Sequence, residues 1–400
     1  MNEPAAAPIT PPAPIFAGRR KAAPHGEVAR VLLAFLASAG LFYVNIMPAL
    51  VDGLIQGAGF SNRQAGLVGS SNVYGAALGA LVAVFFVKHV DWRRAAYLLL
   101  AGLISMDLFS MLVQRFEPLL AMRFAHGFIG GMLVGIGFSI IARTTQPDRT
   151  FGYLLLVQFG LGGLGLLCLP PLVPQFGIWV LFGALILFSL VTFAIVPFLH
   201  DYPVPPVTRP VAAGGQGMQR LPLALSLVAI FLFQAGNMAV FAYVIGLGVA
   251  VGLTMDFISP ALAAATWIGI AGSGLFIVLS TRFGRTVPLV AAIALTCVAT
   301  LALHFSQSGL VYAVANGLVG MSWAFGIPYL LGLCAEFDRA GQMAALGGFA
   351  SKMGLASGPL AAALVVGTGN YSLVINLGAL AMVACLLAVL VPSRLLDKAV

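Results

Sequence analysis

Four ionisable residues lie inside long apolar stretches of the sequence. They are Asp107, Arg123, His126 and Lys352. A charged side chain at the centre of a bilayer costs about 2.5–3.5 kcal/mol on insertion scales, so such a residue usually has a partner or a function. An imidazole can bind and release a proton near neutral pH, and a carboxylate can do so when burial raises its pKa. An isolated ammonium group can bind an anion.

Asp107 and Arg123 are predicted to pair across a helical hairpin. Asp107 lies seven residues before Gln114, which ends its apolar stretch. Arg123 lies five residues after Pro118, a residue suited to the first turn of the next helix. At a rise of about 1.5 Å per residue, both lie roughly 8–10 Å from the same membrane boundary. The pair is either a static packing contact or a proton switch. His126 either joins that switch or only packs.

Lys352, in the segment GGFASKMGLASGP, is predicted to face a water-filled cavity. It lies roughly 16 Å into its apolar stretch, close to the middle of a hydrocarbon core of about 30 Å. The side chain cannot readily snorkel to water from that depth. Its charge therefore either attracts an anionic substrate or pairs with the carbonyl end of a helix.

The composition indicates that these residues are held by helices that span a membrane. Of the 400 residues, 60% are hydrophobic and 8% are charged, which is too little polar surface for a soluble globule. Apolar stretches of about 20 residues can cross the core as helices. The fold class is therefore an all-α membrane protein, with approximate spans 29–52, 63–87, 93–114, 118–142, 151–173, 177–198, 222–249, 257–280, 287–305, 309–334, 341–366 and 371–392.

Basic residues outside the spans fall almost entirely on the side that carries the N-terminus. Because Lys and Arg in short loops stay in the cytoplasm, both termini are predicted to be cytoplasmic, in a bacterial-type inner membrane. The net charge of +8 then reflects membrane topology, and no nucleic-acid partner is expected. The four cysteines show no metal-binding spacing, and no cofactor or metal is expected.

A Pro- and Gly-rich linker, 199–221, divides the chain into two bundles of six helices, 28–198 and 222–393. The tail 1–27 is predicted to be disordered and cytoplasmic, and 394–400 to be a second cytoplasmic tail. The two bundles resemble each other. Arg93 recurs as Arg285 and Asn45 as Asn237, and such internal repeats are typical of secondary transporters.

Short motifs in both halves resemble those of the major facilitator superfamily (MFS). The segment LSTRFGR between spans 8 and 9 is similar to the family loop G-x-x-x-D-R-x-G-R-R/K, and VKHVDWRR is a degraded first-half copy. In span 4, RFAHGFIGG is similar to the helix signature R-x-x-x-G-x-x-G. The resemblance covers the whole chain and implies the MFS fold, with two pseudo-symmetric six-helix bundles. Span 5 departs from the family's antiporter signature.

The resemblance also implies a gating loop on the cytoplasmic side. Its predicted residues are Arg93, Arg94, Asp148, Arg282, Gly284, Arg285 and Asp338, with the two aspartates supplying the acids. Cations near a helix C-terminus gain about 0.3–1 kcal/mol from the helix dipole. The alternative is that the arginines only anchor the chain at the membrane surface.

In the same family, helices 1 and 7 line the central cavity, and Asn45 and Asn237 occupy matching places in them. The predicted substrate-binding residues are Asn45, Arg123, Gln234, Asn237, Tyr243, Trp323 and Lys352, and Tyr43 could extend this wall. The alternative for the amides is interhelical hydrogen bonding worth about 0.6 kcal/mol per bond.

The sequence therefore predicts a secondary transporter, not an enzyme, that moves a small organic anion by alternating access. Proton coupling would involve Asp107, Arg123 and His126, and the partners would be the lipid bilayer, protons and the solute, with the chain acting as a monomer. The alternative is proton-driven efflux of amphipathic compounds, because much of the expected lining is apolar. A transporter-like sensor would need a long cytoplasmic extension, and six residues follow Arg394.

Overall fold

The computed structural model describes residues 21–24, 26–87, 89–113, 115–203, 220–279, 282–337 and 342–398. Most of the predicted tail and the centre of the predicted linker lie outside this part of the chain. The described residues form fourteen α-helices: α1 Glu27–Ala39, α2 Phe42–Asn45, α3 Met47–Ala58, α4 Asn62–Phe86, α5 Trp92–Leu112, α6 Phe116–Ile141, α7 Pro147–Phe176, α8 Trp179–Ile195, α9 Arg220–Ala250, α10 Met255–Leu279, α11 Thr286–Ala302, α12 Gly309–Glu336, α13 Gln342–Val365 and α14 Tyr371–Asp397.

The helices coincide with the predicted spans. Ten of them are long and apolar enough to cross a membrane: α4 to α12 and α14, with short 3₁₀ turns extending α8 and α11. Of the two remaining predicted spans, 341–366 is α13, which carries Lys352, and 29–52 corresponds to α1, α2 and α3. The all-α membrane fold class is confirmed, and the boundaries agree within about five residues at most ends.

The first span is not one continuous helix, which corrects the prediction for 29–52. The helix stops at Ala39, resumes as α2 and stops again before Ile46, whose φ of −108° and ψ of 20° are not helical. Pro48 has no N–H to donate to the carbonyl of Val44, four residues earlier. Gly40 also lies so close to the backbone of α6 that a side chain there would meet the Gly130 carbonyl.

The two halves repeat the same helix pairings. In the first half α4 packs on α6, and α5 packs on α6 and α8. In the second half α10 packs on α12, and α11 packs on α12 and α14. Likewise, α1 packs on α7 as α9 packs on α13. These equivalent contacts show the pseudo-symmetry that the repeated residues predicted.

The halves meet where α4 packs on α13, α7 on α10 and α3 on α9. We call the face where α1 begins and α14 ends the basic face, and the other the opposite face. Near the opposite face, the Tyr243 hydroxyl donates to the Asn62 carbonyl at 2.8 Å, and the Asn62 amide donates to the Gly367 carbonyl at 3.3 Å. Every ion pair of the described residues lies within one half. Further hydrogen bonds join the halves within the helices, from Ser70 of α4 and Trp267 of α10. Hydrogen bonds thus join the halves both near the opposite face and deeper in the helices.

Candidate functional site

A cavity of about 190 Å³ lies between the two halves. The first span, α4 and α7 line it on one side, and α9, α10, α12 and α13 line it on the other. Most of its wall is aliphatic or aromatic. The polar side chains of the wall are Asn45, Gln158, Asn237, Thr266, Asn316, Trp323 and Lys352. A mainly apolar wall with few polar groups is the usual form of a small-molecule site.

The break in the first span provides part of this wall. Asn45 ends α2 and lines the cavity together with Val44. Because Pro48 has no N–H, the Val44 carbonyl accepts from the Ile46 N–H instead of from the residue four positions later. The Asn45 amide nitrogen lies 3.5 Å from the Gln158 carbonyl, at the limit of hydrogen bonding. The amide is therefore weakly held, and polar groups at this discontinuity remain available to a ligand.

Two asparagines of the second half line the cavity wall, and each is held by its own helix. Asn237 donates to the Phe233 carbonyl at 2.7 Å, and Asn316 donates to the Tyr312 carbonyl at 2.8 Å. The amide oxygen of Asn237 is buried and has no hydrogen-bond partner among the described residues. An unpaired buried acceptor costs about 1–3 kcal/mol, so a rotation of this amide that exposed the oxygen to a donor would be favourable.

Lys352 is the charged side chain of the cavity wall. No ion pair or hydrogen bond of the described residues involves its ammonium group. It lies in α13 about ten residues from the helix start, or roughly 15 Å along the axis. A cation at this depth without an acid beside it gives the cavity a positive potential.

Trp323 is held in the wall by a chain of hydrogen bonds behind it. Its indole N–H donates to the side-chain oxygen Oε1 of Gln234 at 2.7 Å. The side-chain NH₂ of Gln234 in turn donates to the Ser351 hydroxyl at 2.7 Å. The Trp323 ring meets the edge of Phe159 from the other half, with 6.0 Å between ring centroids. Gln234, predicted to contact substrate, thus lies behind the wall and orients Trp323.

Two other predicted substrate ligands do not line this cavity. Arg123 is completely buried inside the first half, and Tyr243 lies at the opposite face, where it contacts Asn62. Arg123 is turned away from the wall, because packing sets which side of a helix faces the cavity. Tyr243 is separated from the wall by depth, since it lies beyond Asn237 toward the end of α9. In this conformation, Arg123 belongs to the ion-pair site and Tyr243 to the contact between the halves.

Asp107 and Arg123 form the predicted ion pair. Arg123 Nη1 lies 2.7 Å from Asp107 Oδ1, and both side chains are 0% exposed. The other guanidinium nitrogen donates to the Met106 carbonyl at 3.0 Å and to the Ser110 hydroxyl. The guanidinium also lies 4.9 Å from the centre of the Phe182 ring. These contacts compensate part of the cost of burying the two charges, since Asp107 Oδ2 and Arg123 Nε have no hydrogen-bond partner among the described residues.

His126 extends this ion pair toward the cavity. Its Nε2 lies 3.3 Å from Asp107 Oδ2, and its Nδ1 lies 2.8 Å from the Asn72 amide nitrogen. The same amide nitrogen donates to the Arg123 carbonyl at 3.0 Å. The imidazole also lies 5.9 Å from the Tyr43 ring, whose neighbours along the chain line the cavity. These residues form one buried polar cluster, which we call the Asp107 cluster.

At the basic face, the first-half loop binds within its own half. Arg93 Nε lies 3.1 Å from Asp201, and the Arg93 guanidinium donates to the Leu199 carbonyl. Lys21 lies 3.3 Å from the same carboxylate. Asp201 thus takes the role predicted for Asp148, because the end of α8 and the start of α5 meet at this face.

The second-half loop uses the equivalent positions. Asp397, at the end of α14, accepts hydrogen bonds from the backbone N–H groups of Arg285 at 2.7 Å and Thr286 at 2.9 Å. A carboxylate from another helix therefore caps the start of α11. The Arg285 guanidinium donates to Glu336 at 2.6 Å. Gly284 adopts φ of +70°, a conformation that favours glycine, and packs directly against Asp397.

The other predicted gating residues have different surroundings. Arg94 pairs with Asp91 on its own helix at 3.5 Å, with 87% of its side chain exposed. Arg282 forms a backbone bridge to Gly284. Asp148 is in the first turn of α7, and no ion pair of the described residues includes it. Asp338 lies outside the described residues.

Several residues of these sites escaped the sequence analysis. In the cavity wall they are Gln158, Phe159, Thr266 and Asn316, and in the Asp107 cluster the missed residue is Asn72. Asp52 was assigned to the end of its span, but it lies within α3 and is 5% exposed. The available signal was the position of each polar residue near the middle of a long helix.

Two bundles with repeated pairings, joined around a central and mainly apolar cavity, are the architecture of a membrane transporter. Solved structures of such proteins have the same fold. The nucleoside transporter NupG has a TM-score of 0.68 at 13% identity, covering 91% of this chain and 99% of that one. A bacterial homologue of the human lysosomal transporter Spinster, inward-facing and unoccupied, has a TM-score of 0.61 at 17% identity, covering 94% and 97%.

The sequence also matches a family profile over most of its length. Residues 40–390 match the family described as "Uncharacterised MFS-type transporter YbfB". The chain belongs to this family of MFS-type transporters, which confirms the resemblance found in the loop and helix motifs. It is a multi-pass membrane protein whose partners are the bilayer and a small-molecule substrate. None of the curated protein sequences matches the chain.

Proposed function

We propose that this transporter moves a small organic anion across the cytoplasmic membrane, coupled to protons. The observation that carries the proposal is the Lys352 ammonium group, which lines the cavity without an acid beside it in the described structure. An ammonium group removed from bulk water is stabilised most strongly by an anion. A carboxylate bound at Lys352 would supply that charge.

The remaining wall supports an organic rather than an inorganic anion. Its aliphatic and aromatic surface favours an apolar body, and its amide groups can bind hydroxyl or amide groups. A cavity volume of about 190 Å³ favours a small substrate. The substrate should therefore be small, with one carboxylate, a short apolar part and one or two hydrogen-bonding groups.

The Asp107 cluster supports coupling to protons. It places a carboxylate and an imidazole beside a buried cation, and Tyr43 links it to the segment that lines the cavity. A proton on this cluster would change its net charge within the membrane. Such a charge change can favour one of the two alternating conformations.

The distribution of basic residues supports an orientation with the basic face in the cytoplasm. With this orientation, the polar contacts between the halves close the cavity toward the outside. The protein would then face inward, with the Arg93 and Arg285 loops holding each half together at the cytoplasmic surface. We place the protein in a bacterial-type inner membrane, acting as a monomer.

Uptake into proteoliposomes tests the proposal. Purified protein is reconstituted with a pH gradient, acidic outside, and uptake of labelled aromatic and aliphatic carboxylates is compared with that of uncharged analogues. Lys352→Gln should abolish carboxylate uptake, Lys352→Arg should retain part of it, and Lys398→Ala at an exposed helix end should have no effect. The proposal would be rejected if carboxylate uptake were the same with and without the gradient. It would also be rejected if Lys352→Gln took up carboxylates as fast as wild type.

The alternative is efflux of amphipathic compounds, and one observation favours it. A second, apolar groove of about 500 Å³ opens between α4, α6 and α13, lined by Phe124, Phe349 and Met353. A groove beside the lipid could admit amphipathic molecules laterally. Drug susceptibility of a strain lacking the transporter discriminates the two functions. Because NupG is described as a nucleoside transporter, uridine and adenosine are included in the uptake panel, and their transport would contradict a carboxylate substrate.

A further inference from the structure

We propose that Asn72 is a positioning residue that holds His126 neutral, with its proton on Nε2, while the two halves are closed at the opposite face. Its consequence for transport rests on the proposed proton coupling. The protonation state itself does not, because it follows from hydrogen bonds within the Asp107 cluster. The chemical species bound at this site is a proton, and Asn72 determines which ring nitrogen can hold it.

The orientation of the Asn72 amide is fixed by a backbone carbonyl. The Arg123 carbonyl oxygen, 3.0 Å from the Asn72 amide nitrogen, can only accept a hydrogen bond. If the amide were reversed, two oxygen acceptors would face each other at this distance. The amide nitrogen must therefore point toward α6, and its second N–H points at His126 Nδ1, 2.8 Å away.

This second bond determines the tautomer of His126. Because Nδ1 accepts a hydrogen from Asn72, it cannot carry its own proton without placing two donors against each other. The ring proton is then on Nε2, which faces Asp107 Oδ2 at 3.3 Å. A second proton would have to displace Asn72, and with it the bond to the Arg123 carbonyl. Asn72 thus opposes the imidazolium form.

The helices around His126 contribute two charged and two uncharged groups that face its ring. Asp107 faces it from α5, the Arg123 guanidinium lies on its own helix α6, Tyr43 faces it from α2 and the uncharged Asn72 faces it from α4. The charged residues of α1 and α7 lie in the first turns of those helices, at the basic face. Asp107 favours a charged imidazole, whereas Arg123 and the burial of the ring disfavour it. The Asn72 N–H group that faces Nδ1 acts in the same direction as Arg123.

Helix α4 also contacts the other half of the protein. Ser70 donates to the Ala356 carbonyl of α13 at 2.5 Å, and the Tyr74 hydroxyl lies 2.8 Å from Ser357. Asn72 lies between these two contacts in sequence. Helices α4 and α6 are in backbone contact beside it, where a Cβ at Gly127 would meet the Asn72 carbonyl. A second proton on His126 therefore requires the Asn72 side chain to turn, on a helix that also contacts the other half.

Nitrogen-15 NMR of histidine-labelled protein in lipid tests the inference, since protonated and unprotonated ring nitrogens have distinct shifts. A His126→Gln spectrum assigns the signal. We expect wild type to show only the Nε2-protonated form near neutral pH, and Asn72→Leu to show both tautomers. Asn72→Asp places an acceptor in front of Nδ1. It should raise the titration midpoint of the His126 imidazole by at least about one pH unit, which is a tenfold increase in its proton affinity.

Ser71→Ala is the matched control, because it removes another α4–α6 hydrogen bond, to the Leu120 carbonyl, without touching His126. It should leave the spectrum unchanged. A wild-type Nδ1 that carries a proton, or an Asn72→Leu spectrum identical to wild type, would overturn the inference. The spectrum is recorded without substrate, so it tests the tautomer whether or not uptake proves to be proton-driven.

Discussion

Replacing Asp107 by asparagine should strongly destabilise the folded protein, because the Arg123 guanidinium would remain buried without a counter-charge. Both side chains are 0% exposed in the wild type. Removal of one partner from such a pair costs about 3–5 kcal/mol. Met106 and Ser110 would still accept hydrogen bonds from Arg123. We therefore expect a loss near the lower end, about 3 kcal/mol in the free energy of unfolding.

Two comparisons separate this electrostatic cost from a general packing defect. The double variant Asp107→Asn/Arg123→Met has no buried charge left to compensate and should recover most of the lost stability. Arg94→Gln removes one partner of the exposed pair with Asp91, and such pairs contribute about 0.2–1 kcal/mol. The buried and exposed pairs should thus differ at least threefold.

The measurement is reversible unfolding in mixed micelles titrated with a denaturing detergent, followed by tryptophan fluorescence. Wild type and the three variants are compared under identical lipid and salt conditions. A loss below about 1 kcal/mol in Asp107→Asn would refute the reasoning. So would a double variant no more stable than the single one, since the cost would then not arise from the uncompensated charge.

Three further predictions concern packing, capping and the cavity wall. Gly40→Ala should destabilise the protein by about 1–3 kcal/mol, because its methyl group would meet the backbone of α6, whereas Gly152→Ala, in open space, should not; thermal unfolding compares the two. Asp397→Ala should cost about 0.5–2 kcal/mol by removing the cap of α11, and unchanged thermal stability would contradict it. Trp323→Phe should raise KM for the transported solute by losing the bond to Gln234, and an unaltered KM would show that the indole position does not matter.

The depth of each charged residue could be read directly from the sequence. A helix advances by a constant distance per residue, so counting from the end of an apolar stretch places a side chain along the membrane normal. The count put Asp107 and Arg123 at the same level, and the structure pairs them. The same count put Lys352 near the middle of the membrane, where it lines the cavity.

The direction in which a side chain points was harder to predict from the sequence than its depth. Arg123 was expected to contact substrate, yet its side chain is buried inside the first half and does not line the cavity. The rotation of a helix about its axis is set by packing against several neighbours, and an apolar helix in lipid carries little amphipathic pattern to reveal it. Asn72 was missed for the same reason, because its importance depends on which side of α4 faces α6.

The sequence by itself determined the membrane class, the approximate bounds of the long apolar helices, the basic face and the repeated halves. These properties depend on apolar length, charge distribution and local motifs, all of which are written along one dimension. The tertiary structure alone decided that the first span breaks at Asn45, that Asp201 and Asp397 hold the basic loops, and that Asn72 contacts His126. Those contacts join residues of helices that are distant in sequence. Several partners are possible for each such residue in the sequence, and the packing of the helices decides which one it contacts.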